Sequence, residues 1–370
     1  MSTVETPAGI AILGAGIFPA LAYIPALQSL SEAAPPLKAV YSRSEKSAAE
    51  LSKVAASSLS LETQPDIYYD GDDTKNLDAL LRRSDIAAII IALPLTIQPE
   101  IVLKCLDAGK HVLSEKPVAA TVSKGLSLIH DASKYVEKGL VWRVAENFEA
   151  EPVYRKAGEI LKSGAIGKVS FFKASVANYI DESSPWYKTP WRTHPDYQGG
   201  FLLDGGVHTT AALRTLLPQP LTQLSGFASL NKDYLAPHDT IHTIVRAGPD
   251  FHGTIDMTWA WPTKTKPIQE EIVVTGTKGW LGIGRIEGRW RMTVKTLLNE
   301  KPESYEEKEE KFEFSPQGVA QEFLHFFRAV KGESALDIGK PLDALRDVAF
   351  IQAALNSDGN PVSLEDLVQG

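Results

Sequence analysis

The sequence predicts an α/β protein of two domains. The first is a doubly wound parallel sheet, and the second is an α/β domain with a large, open, mostly antiparallel sheet. Three observations carry this. Six short apolar runs alternate with amphipathic helical stretches up to about residue 145, and parallel neighbours need crossovers of that length. Beyond Asn147 the pattern turns to strands separated by turn residues. With 370 residues, 44 % of them hydrophobic, the chain can bury two ordinary cores. Domains 1–146 and 147–370 are expected, the last helices being able to pack back on the first domain.

In the first half the strands are read at 10–13, 37–41, 67–69, 86–93, 111–113 and 140–145, and the helices at 18–30, 45–55, 74–83, 97–108 and 122–137. A helix over 152–162, closed by Ser163-Gly164, leads into a strand at 168–178 and an aromatic, proline-bearing loop at 180–198. A helix is expected from about 205 to 217. Strands fill 221–314, with turns at Gly248-Pro249-Asp250, Thr277-Lys278-Gly279 and Glu287-Gly288. Within them the charge run 299–311 reads as a solvated hairpin or loop. Helices 318–330 and 342–356 close the chain.

Composition excludes several classes. Acidic residues outnumber basic ones 46 to 38, for a net charge of −8, and no basic run or face stands out. Nucleic acid and anionic membrane are therefore poor partners. The uncharged segment 8–30 is punctuated by Gly9, Gly14, Gly16, Pro19 and Pro25, and no Lys or Arg precedes it. It is neither a membrane span nor a signal peptide. The one cysteine, Cys105, lies on the apolar face of a helical pattern. It can form no internal disulfide, and a cytoplasmic location fits.

Ile10 to Leu13 runs into Gly14-Ala15-Gly16-Ile17-Phe18-Pro19, a strand, a glycine turn and a helix start. Gly14 permits the tight turn, and Gly16 lets a pyrophosphate approach the backbone at the helix N-terminus, as in the Rossmann arrangement. Pro19 stands where a third glycine is usual. The second strand ends in Ser42-Arg43, with no carboxylate before Glu45. A hydroxyl and a guanidinium suit the 2′-phosphate of NADP, whereas NAD sites usually place an acid there. NADP is expected and NAD disfavoured.

Lys116 falls just past the fifth strand, where open α/β sheets bind ligands, and Pro117 restricts its backbone. In the second half, Asp204 would cap a helix starting near Gly205, with His208 one turn on. Taken alone, Lys116 reads first as a solvated surface charge, and the pair as a helix cap and a packed core histidine. No further ligand at helical spacing joins the pair, so no metal site is expected.

Together these stretches resemble the Gfo/Idh/MocA family of nicotinamide-dependent oxidoreductases. The likeness runs through the glycine turn, Ala108 to Val112, Glu115-Lys116-Pro117, Ser163 to Lys168, and Gly199 to His208. Ser42-Arg43-Ser44 and Ala145-Glu146-Asn147-Phe148 look most like a fungal NADPH-dependent branch. The resemblance implies that Lys116 and His208 are catalytic, with Asp204 as histidine partner or substrate ligand, and that the Lys116–Pro117 peptide is cis. It implies cofactor contacts at Gly14, Gly16, Ile17, Phe18, Ser42, Arg43, Leu93, Pro94, Glu115 and Lys116. Leu93-Pro94-Leu95 stands where the family often has Thr-Pro-Asn, and Gln98 where a histidine is common.

Substrate contacts are expected from Asn147, Tyr179, Trp191, Arg192, Asp204 and His208, a set suited to a sugar, a polyol or a small aldehyde or ketone. The alternative function is a non-catalytic NADP-sensing regulator of the same superfamily, which needs no proton-transfer group. The open sheet needs covering, so a homodimer or higher homo-oligomer is expected.

Overall fold

A computed structural model of the chain describes residues 8–195, 197–266, 271–298 and 306–369. They fall into two compact units: the described parts of Met1–Ala119, Lys124–Asn147 and Val319–Ala344, and those of Ala120–Ser123, Phe148–Gly318 and Leu345–Gly370.

The first unit holds strands β1 (Gly9–Leu13), β2 (Leu37–Ser42), β3 (Asp66–Tyr69), β4 (Ile86–Ile91), β5 (His111–Glu115) and β6 (Trp142–Ala145). Helices α1 (Ile24–Leu30), α2 (Glu45–Ser58), α3 (Leu77–Leu81), α4 (Gln98–Asp107) and α5 (Val122–Val136) connect them. The strands form one parallel sheet in the order β3-β2-β1-β4-β5-β6. β1 is buried along its whole length, as a central parallel strand must be. The order reverses between β1 and β4, so the crevice that such sheets offer to ligands opens at the carboxyl ends of these two strands.

Gly14 stands at that point with φ +109°, and a Cβ there would sit 2.1 Å from the Ala92 carbonyl oxygen. Only glycine fits.

Two helices of the first unit differ from expectation. The stretch 18–30 splits into one π-helical turn, Pro19–Tyr23, followed by α1. Pro25 has no N–H to give the Leu21 carbonyl, so the α-ladder breaks, and the Ile24 N–H reaches back to Pro19. The helix expected over 74–83 shrinks to α3. Thr74 donates its N–H to Asp72 (2.9 Å) in a local turn, and Asn76 then caps the helix by accepting from Ala79.

The rest of the chain contains α6 (Asn147–Ala150), α7 (Pro152–Lys162), β7 (Val169–Ala177), α8 (Pro190–Thr193), α9 (Gly200–Leu216), β8 (Leu221–Ser229), β9 (Thr240–Ala247) and β10 (Phe251–Thr258). It continues through β11 (Ile272–Gly276), β12 (Gly279–Ile286), β13 (Arg289–Leu297), β14 (Glu307–Phe314), α10 (Gly318–Val330), α11 (Pro341–Asn356), β15 (Val362–Ser363) and α12 (Leu364–Gln369). Nine strands make one sheet in the order β14-β13-β12-β11-β7-β10-β9-β8-β15, antiparallel throughout except β10 on β7. Along β9 burial alternates: Ile241, Thr243, Val245 and Ala247 face inward while His242, Ile244 and Arg246 face out. The β12–β13 hairpin closes at Glu287-Gly288, both with positive φ, as a tight two-residue turn requires.

Of the two readings of the charge run, a solvated hairpin or a loop, residues 306–311 take the hairpin. They run into and along β14, where Lys295 pairs with Glu307 (3.2 Å) and Arg291 with Glu313 (3.4 Å) across the strands. Alternating opposite charges make this a solvated edge strand; residues 299–305 lie outside the described residues. The short β15 and α12 were not expected. α10 contributes from Val319 onward to the first unit, where Phe323, Phe326 and Phe327 share a core with Ile10, Ile12 and Tyr23.

The helix expected at 205–217 begins instead at Gly200, after Gly199 with φ +108°. Asp204 is therefore not its N-cap but an interior residue. Gly205 and Gly206 lie inside the helix because their neighbours leave no room. A Cβ on Gly205 would stand 2.3 Å from the Trp259 ring, and one on Gly206 2.7 Å from Ile351. These glycines serve close packing, and the sequence pattern had mistaken them for a helix boundary.

Candidate nucleotide and catalytic site

In the first unit, every expected cofactor residue follows the carboxyl end of a strand or closes it. Gly14, Gly16, Ile17 and Phe18 follow β1, Ser42 ends β2 with Arg43 next, Leu93 and Pro94 follow β4, and Glu115 ends β5 just before Lys116. Helical backbone begins directly after Gly16. A Cβ on Gly16 would touch nothing within 4 Å, so protein packing does not demand glycine there. A bare backbone at a helix start is what a pyrophosphate needs, and the residues present fit a dinucleotide.

At the end of β2, Ser44 is engaged as the cap of α2, accepting from Ser47. Arg43 is exposed and makes no ion pair among the described residues.

Lys116 is half-buried, and its peptide bond to Pro117 is cis. The resemblance implied both the residue and the isomer, but not what grips the turn. Gln98, the first residue of α4 and only 1 % exposed, donates its side-chain amide to the Glu115 carbonyl (2.5 Å) and to the Pro117 carbonyl (3.3 Å). One side chain thus holds the backbone on both sides of Lys116. The Lys116 N–H donates to the Glu115 carboxylate at 3.1 Å, and the other carboxylate oxygen accepts from the buried Tyr23 hydroxyl. Burial first, then the Glu115 charge, holds the Tyr23 phenol well above its ordinary range. Burial likewise pushes the Cys105 thiol up to about 12, so it is inert.

In the second unit, Asp204 and His208 lie one turn apart on α9. The Asp204 carboxylate accepts from Arg192 Nε at 2.8 Å, with both side chains largely buried. Arg192 in turn lies 3.8 Å over the Trp191 ring. The loop residues expected to meet substrate are therefore packed together around Asp204. Tyr179 bridges to Ala260, with the Lys232 ammonium 4.7 Å over its ring.

The His208 ring stacks on Phe148, with centroids 4.6 Å apart and planes 23° apart. Phe148 stacks on Tyr154 and meets the edge of Trp290. His208, Phe148, Asn178, Trp259 and Trp290 line a cavity of about 460 Å³, which Tyr179, Trp191 and Arg192 do not reach. This volume falls within the roughly 300–1,000 Å³ of small-molecule sites. Sequence reading missed Phe148, Trp259 and Trp290 as cavity walls. The only local signal was that Trp290 takes an inward position of the alternating β13 and that Trp259 continues the alternation of β10 one residue past its end.

Among the described residues no three His, Cys, Asp or Glu side chains are placed to hold a metal ion. Nor is any helix among them long and apolar enough to cross a membrane.

The chain matches two family models: the oxidoreductase family, NAD-binding Rossmann fold, over residues 8–142, and the GFO/IDH/MocA C-terminal domain over 154–282. It is 37 % identical over 356 residues to "Dehydrogenase FPY6" of Fusarium mangiferae, covering 94 % of this chain and 96 % of that protein. It is 32 % identical over 144 residues to a dTDP-3,4-didehydro-2,6-dideoxy-alpha-D-glucose 3-reductase of Actinomadura kijaniata, 39 % of this chain and 41 % of that one. Among solved structures, an oxidoreductase of Thermotoga maritima superposes with a TM-score of 0.80 at 28 % identity, covering 97 % of this chain and 99 % of the other.

Proposed function

This chain belongs to the Gfo/Idh/MocA oxidoreductase family, and from that premise we propose that it is an NADP(H)-dependent enzyme of the cytoplasm. Its reaction moves a hydride between the cofactor and a sugar or polyol alcohol, or a small aldehyde or ketone. The observation that carries the reading is the presence together of Lys116, Asp204 and His208 in the motifs where the family's catalytic groups stand. A protein that only senses a cofactor needs none of them.

The bound nicotinamide supplies or accepts the hydride. Lys116 polarises the reacting oxygen through its ammonium, held in place by the Gln98 grip on the flanking carbonyls. His208 carries the proton that leaves an alcohol or arrives at a carbonyl; histidine is the side chain suited to that exchange near neutral pH. Phe148 fixes the plane of its ring. Asp204, tied to Arg192, holds the negative charge beside the same helix turn. Gly14 and Gly16 take the pyrophosphate, Ser42 and Arg43 the 2′-phosphate, and Leu93, Pro94 and Glu115 the nicotinamide side of the cofactor. Asn147, Asp204 and His208 remain proposed substrate contacts. Tyr179, Trp191 and Arg192, which do not line the cavity beside His208, would meet only the parts of a substrate that extend beyond it.

Mixing the purified chain with NADPH and a panel of sugars, aldehydes and ketones tests this. Oxidation of NADPH is expected, at least about tenfold more efficient than with NADH, and Arg43→Ala should erase most of that preference. Tight NADPH binding without turnover on a broad panel would establish the sensor instead.

Phe171, Phe227 and Ile244 stand 51 %, 63 % and 64 % exposed on β7, β8 and β9. We read that face as the surface through which copies associate. Light scattering at micromolar concentration should give at least a dimer mass, and a monomer there removes the idea.

A further inference from the structure

The cavity beside His208 is lined by a positive charge that makes no ion pair among the described residues. Two of its charged residues satisfy each other: Lys266 Nζ stands 3.6 Å from Glu271 and gives a hydrogen bond to the Ala177 carbonyl at 3.0 Å. Arg285 is different. It lines the same cavity, is exposed, and makes no ion pair among the described residues. Its guanidinium lies 5.3 Å over the Trp290 ring, and its Nε reaches the Gly288 carbonyl at a long 3.4 Å.

Trp290 is itself only 2 % exposed and is packed edge-on against Tyr154 and against Phe148, the ring on which His208 stacks. The indole is thus a fixed platform that steadies the guanidinium by a cation–π contact, while the Nη donors make no hydrogen bond to a described residue. Glu151 is the acid nearest in influence, but its carboxylate already accepts from the Gln317 N–H at 3.2 Å, and burial pushes its carboxyl up, toward the neutral form. A planar fork of donors with no ion-pair partner among the described residues is suited to bind a carboxylate or phosphate in two parallel hydrogen bonds.

Resting on the oxidoreductase reading above, we propose that this cavity receives the substrate and that Arg285 binds an oxyanion on it, a carboxylate or a phosphate. The preferred substrate is then a hydroxylated acid or a phosphorylated polyol or carbonyl compound, in place of a neutral polyol. Trp259 and Phe148 cover its carbon skeleton and Asn178 offers an amide to its hydroxyls.

Binding can be read without turnover, by titration calorimetry on the full chain with and without NADPH. Gluconate or glycerol 3-phosphate should bind at least about tenfold more tightly than sorbitol or glycerol, the neutral controls. Arg285→Ala should abolish that margin and leave the neutral compounds unchanged, while Arg285→Lys, which keeps the charge but loses the fork, should restore part of it. The two anions separate carboxylate from phosphate recognition, and either result supports the assignment. It is overturned if neither anion binds, if neutral polyols bind as well, or if Arg285→Ala changes anion affinity by less than about twofold. Arg285-dependent anion binding in a protein without turnover would refute the enzymatic reading and leave this one standing. Turnover of neutral substrates, indifferent to Arg285→Ala, would do the reverse.

Discussion

Replacing Lys116 by Met should lower kcat for carbonyl reduction by about 10²–10³-fold, the usual cost of removing a charged donor from a developing oxyanion. His208→Ala should lower it by about 10²–10⁴-fold, the worth of a positioned proton carrier. NADPH affinity should move far less, because the pyrophosphate contacts at Gly14 and Gly16 stay. Gln98→Leu is the graded member of the series. It strips the two donors from the Glu115 and Pro117 carbonyls without touching the ammonium. An intermediate loss of about tenfold in kcat is expected, since the Lys116 turn is loosened and not removed. Stopped-flow traces of NADPH oxidation, with circular dichroism to verify folding, decide the matter. Folded Lys116→Met and His208→Ala proteins that each keep more than about a tenth of wild-type turnover would remove both residues from the chemistry.

The largest loss of stability is expected at Arg214 on α9. Its guanidinium holds Asp347 of α11 through Nε (3.3 Å) and Nη2 (2.9 Å), and Glu149 of α6 through Nη1 (3.1 Å). The three side chains are 18 %, 3 % and 8 % exposed. Arg214→Met would leave two nearly buried carboxylates without this cation, a change that costs about 3–5 kcal/mol. For a unit of this size that lowers the thermal midpoint by on the order of 10 °C. Arg214→Lys should recover little, because an ammonium cannot serve both acids with this geometry. Replacing all three residues by well-packed apolar ones should be close to neutral, since the burden lies in the orphaned charges. Differential scanning calorimetry of the three variants tests the account, and an Arg214→Met midpoint within about 2 °C of wild type contradicts it.

The legible parts of this protein are those whose cause lies within a few residues. Apolar runs and their spacing place β1 to β6 within a residue or two, the Glu287-Gly288 turn marks its hairpin, and α7 spans the residues expected of it. Gly14 was read as a tight turn, and its φ of +109° and the close Ala92 carbonyl supply the reason. Local reading failed where a distant neighbour set the answer. Gly205 and Gly206 look like a helix boundary until Trp259 and Ile351 are seen to press on them, and Asp204 changes from a cap to an interior residue as a result. The charge run 299–311 reads as a hairpin or a loop alike, and the opposite charges that β13 offers in register decide for the hairpin over the described residues 306–311.

By itself the sequence determined the parallel sheet, the glycine turn at its centre, the lysine beyond β5 and the histidine that shares its motif with Asp204. The sheet, the glycine turn and the place of the lysine past its strand follow from backbone preference and hydrophobic period, which act over a few neighbouring residues. Lys116, Asp204 and His208 stand out as functional groups only through the family resemblance. Only the tertiary structure decided that Gln98 grips the Lys116 turn, that Phe148 carries the His208 ring, that Asp204 is held by Arg192 and that Arg285 rests on Trp290. Most of these contacts join residues many positions apart through the packing of buried faces, and a side chain's partner there depends on which elements meet and at what distance.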